Sequence, residues 1–145
     1  MHSVAQHAPV DHQLLFLPGV FNETLSQLFD AHHYFQTRGI EDQQTVAQEW
    51  QMPYSNEMTR ITMRLTSVMA WLMVRRAIHA GRIDSEKAAE CYRLDGSEIC
   101  LAHHDETLLH MPYYLKHLSE RSLDLYERVY RLDRMVYGSG VGEAV

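Results

Sequence analysis

The sequence predicts an all-α protein, an antiparallel three-helix bundle with an additional short helix, and three observations lead there. Apolar residues recur at alternating spacings of three and four along two long stretches, 57–80 and 112–137, the rhythm of a helix burying one face. Composition leans on Leu, Met, Ala, Glu and Arg, which suit helices. Seven glycines and four prolines are too few for an all-β chain with many turns.

The elements follow in chain order. Residues 1–21 read as a loose N-terminal segment, with an apolar tag at 14–20 broken by Pro18-Gly19. The bundle domain is expected over 22–138 and a mobile tail over 139–145. Asn22 is a good N-cap and Phe21 before it could staple to the first turn. Leu25, Leu28, Phe29, His32 and Phe35 then share a helical face up to a stop at Gly39. Residues 40–52 are polar, with room for a turn of helix around Val46 and Trp50. Pro53 suits the first turn of a central helix, where its missing N–H costs nothing.

That central helix carries an apolar stripe of Met58, Ile61, Leu65, Val68 and Leu72, widened by Met69 and Met73. Gly81 ends it, since glycine accepts the left-handed conformation of a helix terminus. Asp84 caps a shorter helix whose apolar face is Ala88, Cys91, Leu94 and Ile99, with a break expected at Asp95-Gly96. Residues 103–106 form a polar loop. After Pro112 the last helix keeps heptad spacing through Leu115, Leu118, Ser122, Leu125, Val129, Leu132 and Val136, a seam for near-parallel packing. Gly138 stops it.

The totals restrict function. At 145 residues the chain is one domain with a real core. A net charge of −6 argues against nucleic-acid binding, which needs a basic footprint. No stretch approaches the roughly 20 apolar residues of a membrane span, so no membrane partner and a cytoplasmic location are expected. Cys91 and Cys100 form neither a CxxC pair nor a disulfide framework and read as buried thiols.

Ten histidines invite a metal reading, with His103, His104, Asp105 and His110 nearest to a cluster. Adjacent histidines in a loop cannot easily face one ion, and no HxxxH or ExxH pair lies on a helix. His32, His33 and His79 read as partly buried or capping residues. Walker A, GxGxxG and GxSxG motifs are absent from the sequence. The expectation is therefore no catalytic residue, no metal and no cofactor.

The arginines remain. Arg60, Arg64, Ser67, Trp71 and Arg75 line one edge of the central helix. They admit two readings. Arg60, Arg64 and Arg76 could form structural ion pairs with acids on neighbouring helices, alongside Glu57. Alternatively the edge, with Trp71, docks an acidic partner. If the central and final helices run antiparallel, Arg60 or Arg64 should reach Asp133. Partner contacts are expected at an exposed Arg75, at Trp71, and at the loop residues His103, His104, Asp105 and Glu106. Trp50, Tyr54, Trp71, Tyr126 and Tyr130 lie off the main seams and point to a homodimer.

The stretch EMTRITMRLTSVMAWLMVRRAI resembles the signature of the alphaproteobacterial regulator of CtrA degradation family, and YERVYRLDRMVYG resembles its closing helix. LSQLFDAHHYFQTRG matches more loosely. The matching positions include Glu57, Arg60, Arg64, Trp71, Arg76, Arg128, Arg131 and Asp133. The resemblance implies a dimeric three-helix adaptor without enzymatic activity. Such an adaptor helps deliver cell-cycle regulators such as CtrA to the ClpXP protease. Its partners would be a response-regulator-like adaptor that primes the protease, a cyclic-di-GMP-binding adaptor, and cargo. The alternative is a helical homodimeric scaffold in another regulatory complex.

Overall fold

A computed structural model describes residues 17–137, and its elements are all helical. The order is α1 (Leu17–Gln36), α2 (Arg38–Thr45), a 3-10 turn (Gln48–Trp50), α3 (Gln51–His79), α4 (Ser85–Cys91), α5 (Ser97–Cys100), α6 (Asp105–Leu108) and α7 (Tyr113–Tyr137). Gly138 and the tail lie outside the described residues, as does most of the expected loose segment.

Helix α1 starts at Leu17, earlier than an Asn22 cap would place it. Pro18 sits in its first turn, where a residue without an N–H is tolerated, so Pro18-Gly19 opens the helix and does not break it. The chain bends at Thr37 and continues directly into α2. Gly39 lies inside α2, so it is not a stop. A Cβ there would come within 2.8 Å of the Tyr34 carbonyl oxygen, so the close approach of α2 to α1 requires glycine.

The face α1 buries also differs from the expected one. Thr24, Gln27, Ala31 and Tyr34 are buried, whereas Phe29 is 71% exposed. A stripe of mostly small or hydrogen-bonded residues lets α1 settle between two longer helices. Thr24, for instance, donates its hydroxyl to the Val20 carbonyl at 2.7 Å.

Helices α1, α3 and α7 pack against one another pairwise. Tyr34 near the end of α1 lies 3.2 Å, oxygen to oxygen, from Tyr54 near the start of α3, and Arg76 at the end of α3 covers Phe21 near the start of α1. Those two helices are antiparallel. Arg121–Asp30 and Arg128–Glu23 likewise set α7 antiparallel to α1. Helices α3 and α7 are different. Ser119 meets Glu57 and Asp133 meets Trp71, both pairs 62 residues apart, so α3 and α7 run parallel. The all-α expectation holds, and the antiparallel arrangement is corrected for this pair.

A parallel pair needs a long return connection. Residues 80–112 supply it as a strap that runs back beside α3. It begins at Gly81, whose φ is +76°, and Asp84 caps α4 by accepting from the Glu86 amide at 3.1 Å. A break follows at 92–96, with Gly96 at φ +79°. The strap then passes Arg64 and ends where His110 stacks on Trp50 at 4.1 Å. Ala88, Leu94, Cys100, Leu108 and Met111 are its buried apolar residues. Cys91 is exposed, contrary to the expected buried thiol, and Ile99 is exposed as well.

Candidate functional site

The centre of the α3–α7 seam is polar. Arg64 is fully buried on α3, at the level where the heptad seam of α7 places Ser122 in place of an aliphatic residue. Its Nε donates to the Cys100 carbonyl at 2.7 Å, and a terminal nitrogen donates to the Ala102 carbonyl at 2.7 Å. The other nitrogen reaches the Ser119 carbonyl at 3.1 Å and the Ser122 hydroxyl at 3.2 Å. Glu57, nearly two turns earlier on α3, lies 3.7 Å from Arg64, pairs with Arg60, and accepts from the Ser119 hydroxyl. Burial lowers the Arg64 pKa from its ordinary value, with Glu57 opposing the shift. An arginine keeps its proton even so.

Asp133 forms a second latch near the far end of α7. Its carboxylate accepts from the Trp71 indole at 2.9 Å, from the Leu94 amide at 3.2 Å and from Arg93 at 3.0 Å. Tyr126 adds a third by donating to the Asp95 carbonyl at 2.7 Å. All three side chains hold the strap's backbone against the bundle. Such groups position structure; none faces an open cavity with a nucleophile or a paired acid and base.

The expected ion-pair residues thus separate into two groups. Glu57, Arg60 and Arg64 come together, while Asp133 takes Arg93 and Trp71 instead of Arg60 or Arg64. The parallel run of α3 and α7 is the reason. Arg76 covers the Phe21 ring at 4.0 Å, and among the described residues it makes no ion pair across helices.

The expected docking residues separate in the same way. Arg75 is only 6% exposed and Trp71 only 4%, with the Arg75 guanidinium 5.7 Å from the Trp71 ring. Neither offers the open edge that was expected. His103, His104, Asp105 and Glu106 are exposed, and Asp105–Leu108 is a single helical turn where a loop was expected. His32, His33 and His79 are exposed too. No group of three or more metal-capable side chains occurs among the described residues.

Sequence reasoning missed the surface at the other pole. An open groove of about 640 Å³ lies between the end of α1, α2 and the first turns of α7. Arg38 lies over the Tyr114 ring at 4.5 Å on its wall. Tyr113, 73% exposed, stacks on His117 beside it. Adjacent tyrosines at the start of an amphipathic helix, off its heptad seam, were the available signal.

Comparison with known proteins agrees with this architecture. The family model described as "Protein of unknown function (DUF1465)", the domain of the RcdA (regulator of CtrA degradation) proteins, matches residues 13–145. The chain belongs to this family. The crystal structure of RcdA from Caulobacter crescentus CB15 superposes on it with a TM-score of 0.70 at 27% identity, covering 86% of this chain and 92% of that one. No functionally curated protein matched. The RcdA family is not a known enzyme family, and no described helix is long and apolar enough to cross a membrane.

Proposed function

We propose that this protein is a non-enzymatic adaptor in regulated proteolysis, helping deliver cell-cycle regulators such as CtrA to ClpXP. The observation that carries the reading is the family match over nearly the whole chain together with the likeness to RcdA. The architecture supports it, because Arg64, Tyr126 and Asp133 are engaged in holding the strap and the surface offers aromatic and charged faces. An adaptor raises the effective concentration of cargo at a protease by binding both, so its own side chains perform no chemistry.

Its partners on this reading are a protease-priming response-regulator-like adaptor, a cyclic-di-GMP-binding adaptor and cargo, met in the cytoplasm. A homodimer is part of the proposal. The support shifts from the aromatics first expected to carry it, because Tyr54, Trp71 and Tyr126 are internal, to exposed residues such as Phe29 and Met73. The test is reconstitution of ClpXP with the partner adaptors and CtrA, measuring cargo half-life with and without this protein. Faster turnover is expected; unchanged turnover of CtrA and of any other cargo would leave the chain a scaffold. Light scattering at micromolar concentration should give a dimer mass, and a monomer mass removes that part.

A further inference from the structure

The groove at the Tyr113–Tyr114 pole contains charges of unequal standing. Asp30 and Arg121 on its rim neutralise each other at 3.0 Å. The Asp42 carboxylate nearby accepts from Tyr34 at 2.8 Å. Arg38 is exposed, and among the described residues it has no carboxylate within ion-pair distance. Its guanidinium is held over the Tyr114 ring, an arrangement that orders the planar fork without occupying its N–H donors. Leu118 on the groove floor supplies apolar surface. A cationic fork beside an aromatic ring and an aliphatic floor complements a carboxylate next to an apolar side chain. The volume suits a few side chains, within the roughly 300–1,000 Å³ of ordinary binding pockets.

We infer that this groove docks an acidic peptide segment of a partner protein, its carboxylate on Arg38 and an adjacent apolar side chain against Tyr114 and Leu118. The inference deepens the adaptor reading by naming one recognition face and the chemistry it takes. Glu41 is the opposing feature. It lines the groove one turn beyond Arg38 and weakens acidic ligands by repulsion.

The experiment titrates the full-length 15N-labelled protein with a capped peptide alternating leucine and aspartate. Controls are the same peptide with asparagine, with lysine, and inorganic phosphate. The acidic peptide should saturate, shifting amides in 33–41 and 113–121. Asparagine should weaken it about tenfold, the loss of one charge-assisted contact, and the lysine peptide should not bind. Arg38→Ala should weaken it about tenfold and Glu41→Gln should tighten it about twofold. Both positions are exposed, so the thermal melt should stay unchanged. The inference is overturned by absence of saturation, by shifts confined to 103–106, by equal affinity for the asparagine peptide, or by phosphate competing as well as the peptide. No protease is present, so a negative titration leaves the delivery assay standing, and a failed delivery assay leaves the titration standing.

Discussion

Helix α7 meets its two long neighbours by opposite means. Toward α3 it turns Ser119, Ser122 and Asp133, all buried and all bonded to groups from α3 or the strap. Toward α1 it places Arg121 and Arg128 in partly exposed pairs with Asp30 and Glu23. Both sides include an arginine–carboxylate pair, and the surroundings decide what each contributes. An exposed pair exchanges water for a partner at little net gain, whereas a buried arginine left without its acceptors, or the acceptors without it, faces an uncompensated desolvation cost.

That contrast can be broken at its strongest point. Arg64→Met would take the guanidinium donors from the buried carbonyls of Cys100 and Ala102, and should cost about 4 kcal/mol in urea unfolding. A loss under about 1 kcal/mol would mean water replaces the guanidinium, erasing the distinction. Asp133→Asn should cost about 2 kcal/mol, since it weakens hydrogen bonds to a charged group. Hydrogen exchange should then rise selectively in 80–96, the segment Asp133 holds. Tyr126→Phe, which removes a single hydroxyl, should cost about 1 kcal/mol. Arg121→Ala on the α1 side should change stability by no more than about 0.5 kcal/mol and lose even that in high salt.

The buried side should also differ in its response to alkali. Burial raises the pKa of Cys100 and Tyr126 on the strap side and of Tyr34 at the opposite pole. A raised folded-state pKa means the unfolded chain loses its proton first as pH climbs. These groups therefore contribute stability that is intact below their unfolded values, near 8.5 for the thiol and 10 for the phenols, and that falls above them. Urea midpoints should be flat from pH 7 to 8 and decline past pH 9. In the same range a thiol reagent should modify exposed Cys91 quickly and Cys100 only on unfolding.

Much of the helical content was legible because periodicity reports burial directly. The seam Leu115, Leu118, Ser122, Leu125 and Val129 is buried as its spacing implied, and Pro53, Gly81 and Asp84 mark the α3 and α4 ends they suggested. Direction was not legible, because periodicity is the same for a helix running up or down. The antiparallel assumption therefore sent Asp133 to the wrong arginine, while Arg75 and Trp71, expected at an exposed edge, are internal. The corrective signal was present. Ser122 in an otherwise aliphatic seam needs a polar partner, and the arginine line of α3 offers one at matching height. On α1 the large apolar residues misled for a different reason. A helix wedged between two others is selected for closeness, so Ala31 and Thr24 go in and Phe29 stays out.

The cage around Arg64 has a consequence for synthesis on the ribosome. Its acceptors lie far downstream, Cys100 by 36 residues and Ser122 by 58. While α1 and α3 emerge, the guanidinium has only Glu57 and water for company. The Cys100 and Ala102 carbonyls reach it with the strap, and the Ser119 and Ser122 groups only with α7. A nascent chain ending before Tyr113 therefore holds a cation beside its apolar stripe with only part of its acceptor set, and an incompletely bonded buried charge is costly. The cage is thus complete only when the last helix has been made.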